Sequence, residues 1–149
     1  EDDHGKKIYG SLSVKASDRL VFEGYADFNM KPAAQNELTV KVFAGLQSEG
    51  LDAGLEVFSR TNAKAAAGED VTFSGLSAFA SLPLGISLKG FGRVDAISND
   101  SKDTTDLLVI AGLDHMPAKN VHLMPNVVVA LPDGSDPHIQ ARLTFYYTF

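Results

Sequence analysis

Cysteine is absent from the 149 residues, which excludes a disulfide framework, a thiolate metal site and a cysteine nucleophile. The same absence suits a chain that crosses an oxidising compartment. No run approaches the roughly 18 apolar residues that a membrane-crossing helix needs, and the mean hydropathy is −0.02. Helical membrane proteins are excluded on that ground. A transmembrane β-barrel is not, because its lumen-facing half is polar and dilutes the hydropathy. Basic residues are outnumbered, 13 against 19, for a net charge of −6, which disfavours nucleic acid as a partner. The opening residues EDDHGKK do not resemble a signal peptide, so any export signal is expected to lie outside this sequence. The length fits one domain, residues 1–149. Convincing helical periodicity is also missing. Ala65-Ala66-Ala67 is too short to hold a helix alone, so Ala63–Asp70 reads as a flexible loop.

What the chain has instead is alternation. In His138–Phe149, Ile139, Ala141, Leu143, Phe145, Tyr147 and Phe149 share one parity, and His138, Gln140, Arg142, Thr144, Tyr146 and Thr148 share the other. A β-strand sends successive side chains to opposite faces, so this stretch has one apolar and one polar face. An ending this apolar is expected to be buried in something, and lipid is the expectation. The pattern recurs along the chain. Ile8–Ala16 and Leu20–Met30 form a hairpin about Ser17-Asp18-Arg19. A loop with Pro32 spans Lys31–Glu37, and Leu38–Gln47 and Leu51–Phe58 follow about Ser48-Glu49-Gly50. Val71–Leu82 and Gly85–Ser98 come next, joined at Pro83-Leu84. The parity slips near Gly75, which predicts a β-bulge there or a register error. Leu107–Asp114, Val121–Val129 and the terminal stretch complete about nine strands of roughly 9–13 residues, close to the length that crosses a bilayer at a tilt. Pro125 argues for an edge or a bulge. Tight and longer turns alternate, as though the two ends of the wall face different surroundings.

Alternation is common to soluble and membrane barrels, and the second face separates them. A water-facing surface is dense in Lys and Glu. Here only 21% of residues are charged, and that face holds Ser, Thr, Gly, Tyr, Asn, Phe43, Phe58 and Phe91. Aromatics gather at strand ends (Phe22, Phe28, Phe145, Tyr147, Phe149), as an interfacial girdle requires. The fold class expected is therefore all-β, an antiparallel transmembrane β-barrel wall. Its polar parity places Lys15, Lys41, Arg60, Lys89, Arg93 and Arg142 in the lumen beside Glu23, Asp27, Asp52, Glu56 and Asp95. Such charges either set a field that tunes ion selectivity or pair across strands and make the wall wettable. The mixed signs argue against a dedicated anion ladder.

Catalytic and metal chemistry find little support. His4, His115, His122 and His138 lack metal-ligand spacing, although His122 and His138 could approach on adjacent strands. Ser11, Ser13 and Ser87 have no base or oxyanion donor placed beside them. Asp133-Gly-Ser-Asp136 lacks a full set of oxygen ligands for calcium and reads as turn chemistry. Gly90-x-Gly92 lies inside a strand, not before a helix. No cofactor, metal or catalytic residue is expected, and the chain does not read as an enzyme.

Three runs carry a resemblance: Ile110–Asp114 (IAGLD), Pro117–Asn126 (PAKNVHLMPN) and Arg142–Phe149 (RLTFYYTF). They resemble the C-terminal part of bacterial outer-membrane porins, the phosphate-selective porin-like and general porin families. Gly5–Ser13 (GKKIYGSLS) is similar to a mid-barrel strand of such proteins. The resemblance implies a channel for passive diffusion of small hydrophilic solutes or ions in the outer membrane of a Gram-negative bacterium, with lipid as its partner. A small plugged barrel with a structural or adhesive role and a soluble lipocalin-like binder are the alternatives. It also implies a wall of about 16–18 strands, of which this chain supplies part. With Phe149 periplasmic, about nine strands put Glu1 on the outer side, whereas even-stranded barrels have both termini periplasmic. A second chain or homo-oligomer supplying strands, a cleaved loop before Glu1, a miscounted strand or an unusual closure would each reconcile the two.

Overall fold

The computed structural model describes residues 5–31, 35–66 and 68–148. The expected roles of His4, Pro32 and Phe149 lie outside the described residues. The chain forms nine strands and, among the described residues, no helix: β1 (Lys6–Lys15), β2 (Leu20–Met30), β3 (Glu37–Gln47), β4 (Asp52–Ala66), β5 (Glu69–Gly85), β6 (Leu88–Asn99), β7 (Thr104–Ala118), β8 (Val121–Leu131) and β9 (His138–Tyr147). They build one antiparallel sheet in which every strand pairs with its sequence neighbours, in the order β1 to β9. The sheet is open, with β1 and β9 at its edges.

Register fixes what each face carries. Ile8, Phe28 and Leu38 pair in sequence across β1, β2 and β3. Val42, Val57 and Leu76 do so across β3, β4 and β5. Val94, Val109 and Val129 do so across β6, β7 and β8. All lie on one face. From Ile8–Val14 on β1 to Ile139–Tyr147 on β9, the paired positions of that face hold no Asp, Glu, Lys or Arg. It is also the exposed face: in β2 and β3 the apolar positions are open while the polar ones between them are half-buried. Val42 is 54% exposed and Asp27 only 7%. The two buried hydrophobics among the described residues, Val71 and Val128, both sit on the polar face. Shielding of the polar side chains over exposed apolar ones is what a sheet curled towards its polar face produces, since side chains converge on a concave side.

The strands are also inclined. One row of partners runs unbroken through Ser13, Glu23, Phe43, Glu56, Ser77, Asp95, Leu108, Ala130 and His138. It begins near the end of β1 and finishes on the first residue of β9. That stagger of about seven residues at ~3.3 Å each, over eight interstrand steps of ~4.8 Å, corresponds to a tilt of about 30°. Barrel strands tilt by about 35–45°.

Three expectations need correction. The segment Ala63–Asp70 is not a loop: β4 runs to Ala66 and β5 starts at Glu69, around Gly68 at φ +85°. The Lys64 N–H donates to Asp70 Oδ1 at 3.0 Å. These residues extend the hairpin past the apolar band, so they carry no alternation to read. Gly75 is not a bulge either. Register is continuous from Asn62↔Val71 to Asp52↔Ser81, and shifts fall at Asn62/Ala66 and Pro83/Gly85 instead. The apparent slip arose because Phe73 and Phe79 belong to the polar parity. Finally, Pro83-Leu84 lies within β5, and the turn to β6 is 86–87.

Several phenylalanines of the polar parity, Phe79 among them, are accommodated by glycines. A Cβ on Gly54 would meet Phe79 Cζ at 2.5 Å and Phe43 Cε2 at 2.7 Å, and one on Gly75 would strike the Phe58 ring. Gly112 is likewise covered by Phe91. Gly24, on the outward face, has open space instead. We therefore expect Gly75→Ala to destabilise the sheet by about 1–3 kcal/mol through ring displacement. Gly24→Ala should change stability by no more than ~0.5 kcal/mol. Urea unfolding in detergent micelles separates the two; equal losses would contradict this packing.

Candidate functional site

The polar face is the only surface where chemically active side chains converge among the described residues. Register places Lys15, Glu23, Asp27, Lys41, Glu56, Arg60, Lys89, Arg93 and Arg142 there, together with Asp52 and Asp95. Phe145 and Tyr147 lie on the outward face near one end of β9, 64% and 53% exposed.

Most of these charges are paired. Lys41 Nζ lies 3.8 Å from Glu56 Oε1 on the next strand and 5.7 Å from the centre of the Tyr25 ring. Arg93 Nε donates to both carboxylate oxygens of Asp95, at 2.8 and 2.9 Å. Asp27 accepts from the Tyr25 hydroxyl at 2.8 Å and faces Lys7 Nζ at 3.3 Å. Arg142 Nε donates to Gln140 Oε1 at 2.9 Å. Lys15, Glu23 and Lys89 have no such partner among the described residues. No buried polar side-chain atom among them lacks a hydrogen bond.

The densest cluster includes a residue that the alternation pattern does not single out. Glu37, at the start of β3, binds Lys31 Nζ at 2.7 Å, Arg60 Nη2 at 2.8 Å and Asn29 Nδ2 at 3.1 Å. It ties three consecutive segments together where β2 leads into β3. Position in the sequence hid it, because Glu37 sat at the edge of an expected loop; its cross-strand register with Asn29 and Asn62 was the missing signal.

The histidines also rearrange. His122 stands opposite Tyr146, while His138 pairs with Ala130 far along the same strands, so the two do not approach. His122 Nδ1 instead lies 2.8 Å from Asp114 Oδ1, with its ring 5.8 Å from that of Tyr146. Asp133 is engaged locally, its carboxylate accepting the Thr105 N–H at 3.3 Å. No group of three or more metal-ligating side chains occurs among the described residues.

Between the charges lies an aromatic floor. Phe43 and Phe79 lie 6.2 Å apart with planes within 9°, roofing Gly54. They border a cavity of about 330 Å³ that Lys15, Arg19, Val21 and Asp52 also line. The face therefore combines hydrated ion pairs of both signs with flat apolar patches.

The Glu37–Arg60 pair should be a modest rim clamp, since Arg60 is 47% exposed. A double-mutant cycle of Glu37→Gln and Arg60→Gln is expected to give a coupling of no more than ~1 kcal/mol that shrinks in 1 M salt. A coupling above ~3 kcal/mol, unaffected by salt, would mean a desolvated pair and a dry polar face. No protein-family model, curated protein or solved structure matches this chain.

Proposed function

We propose that this chain is part of the wall of a transmembrane β-barrel in a bacterial outer membrane. On this reading the barrel is a porin-type channel through which small hydrophilic solutes or ions diffuse. The observation that carries the reading is an exposed face whose paired positions from Ile8–Val14 to Ile139–Tyr147 hold no Asp, Glu, Lys or Arg, set against a less exposed opposite face that holds most of the charged side chains. Lys6, opposite Met30 at the start of β1, is the one charge that the exposed face carries at a paired position beyond that stretch. Soluble monomers rarely expose a contiguous apolar patch beyond a few hundred Å². Here Val40, Val42, Leu55, Val57 and Leu76 are all exposed and adjacent by register. A lipocalin-like binder needs the opposite arrangement, with the oily parity turned inward.

Two further features support the reading. The strand inclination is near that of closed barrels, and the connections 16–19, 48–51, 86–87 and 119–120 at one rim are all short. Short turns on one side are the periplasmic signature of such barrels. β9 ends at that same rim. The wall is wider than nine strands, since about eight suffice to close a barrel whose interior side chains fill it. Selectivity then comes from lumen width and the balance of Lys15, Lys41, Lys89, Arg93 and Arg142 against Glu23, Asp52, Glu56 and Asp95, with no bound cofactor taking part.

Planar-bilayer recording tests the function. Large ohmic steps with weak ion preference are expected; silence at saturating protein would favour a plugged barrel and overturn the channel. In the same assay, Lys41→Glu combined with Arg93→Glu should raise the cation-to-anion permeability ratio at least about twofold. Position within the wall is tested separately. Val42→Arg, at mid-height on the outward face, should cost about 2–4 kcal/mol of stability in lipid. Lys41→Ala, one residue away, should cost under ~1 kcal/mol. The reverse ranking would place lipid on the wrong face.

A further inference from the structure

We propose that the cavity at the short-turn rim of the polar face binds an aromatic α-amino acid, its ring on Phe43 and Phe79, its carboxylate towards Arg19 and its ammonium towards Asp52. This goes beyond the channel reading and rests on it only in requiring that the polar face meets water. The cavity, about 330 Å³, lies beside connections 16–19 and 48–51. That volume is at the small end of ligand sites, the scale of a single amino acid.

Register builds its floor. One row of partners reads Lys15, Val21, Gly45, Gly54 and Phe79 from β1 to β5. Two glycines side by side on β3 and β4 sink the middle of that row, and the rings of Phe43 and Phe79 lie over them. The rings are nearly parallel, within 9°, with centroids 6.2 Å apart. Phe79 stays 42% exposed, so ring surface remains open to the cavity. A flat aromatic solute gains offset or edge contact on such a surface.

Charge is divided across the floor. On the β1–β2 flank stand two cations and one carboxylate, Lys15 and Arg19 against Asp18, which leaves a single positive charge; on the β4 flank stands Asp52 alone. Arg19 and Asp52 are two ladder steps apart. The Gln47 N–H donates to the Arg19 carbonyl at 2.8 Å, and Gln47 stands opposite Asp52. At ~4.8 Å per step the backbones are about 10 Å apart. Elsewhere on this face opposite charges meet directly, as Lys41 meets Glu56 and Arg93 meets Asp95. The side chains of Arg19, Gln47 and Asp52 have no hydrogen-bond or ion-pair partner among the described residues. A zwitterion with both charges on one carbon complements both flanks at once. A simple anion is repelled by Asp52, and a simple cation by Arg19 and Lys15. These groups are open to water, so they select the ligand more than they hold it. Release stays easy, as passage requires.

The test is binding in detergent micelles with L-tryptophan as probe, its indole fluorescence read against a chain that has no Trp. A saturable Kd of roughly 0.5 mM is expected for a ligand of this size. Indolepropionate, which lacks the ammonium, and tryptamine, which lacks the carboxylate, should each bind at least about fivefold more weakly. Asp52→Asn should weaken L-tryptophan by a similar factor and spare indolepropionate. Arg19→Gln should weaken L-tryptophan and spare tryptamine, and Phe79→Leu should weaken all three. No saturation up to ~10 mM, or either single-charge probe binding as well as L-tryptophan, would overturn the site. The three-probe comparison on the unsubstituted chain decides the matter even where a variant does not fold. Planar-bilayer recording separates the two readings. Conduction without binding removes this site alone, whereas selective binding by a protein silent in bilayers keeps the site and removes the channel.

Discussion

The ladder of backbone hydrogen bonds is the constraint on which everything else here depends. Because side chains alternate along a paired strand, register alone decides which residues share a face, and a slip of one residue would exchange the two faces entirely. Across eight successive pairs the register holds the aliphatic set together. Tyr25, Lys41 and Phe58 stay on one side, and Ala26, Val40 and Ser59 on the other. Shifts occur only towards strand ends, at Asn62/Ala66, Pro83/Gly85 and His115/Ala118. The segregation of charge from the outward face is therefore a property of the whole sheet and not of any one strand.

Curvature and width pull against each other on the inner face. Large side chains crowd a concave surface, and the chain relieves the crowding by setting glycine beneath phenyl rings. Gly54 lies under Phe43 and Phe79, Gly75 under Phe58, and Gly112 under Phe91. Rings laid flat cover backbone that would otherwise be bare, restoring contact that glycine gives up in a strand. Charged groups of both signs stand at other positions of the same face, several of them as pairs and Lys15, Glu23 and Lys89 without such a partner among the described residues. Lys41 with Glu56 and Arg93 with Asp95 show the pattern within the middle strands. On the proposed reading, this combination makes a wall that water wets and that binds no single solute tightly.

Much of the architecture was legible because the period of two is unambiguous where one parity is free of charge. β2 and β3 were bounded to within a residue, and the alternation of β9 was plain. Legibility failed where that contrast faded. Residues 63–66 project beyond the apolar band and look like loop, and Phe73 and Phe79 put apolar weight on the polar parity and suggested a bulge. The placement of Lys41, Arg93 and Arg142 on one face needed only parity. Their partners need register, which no single strand encodes; hence parity does not single out Glu37, and it leaves open an approach of His122 to His138 where register gives Asp114.

The most direct measurement is a cysteine scan of β3 in lipid vesicles, uncomplicated because the chain has no cysteine of its own. Single cysteines replace each residue from Thr39 to Ala44, and each is exposed to a water-soluble maleimide and to a lipid-dissolved paramagnetic quencher. The account predicts strict alternation, with positions 39, 41 and 43 labelled from water and positions 40, 42 and 44 quenched from lipid. Uniform labelling from water, or the opposite alternation, would contradict it.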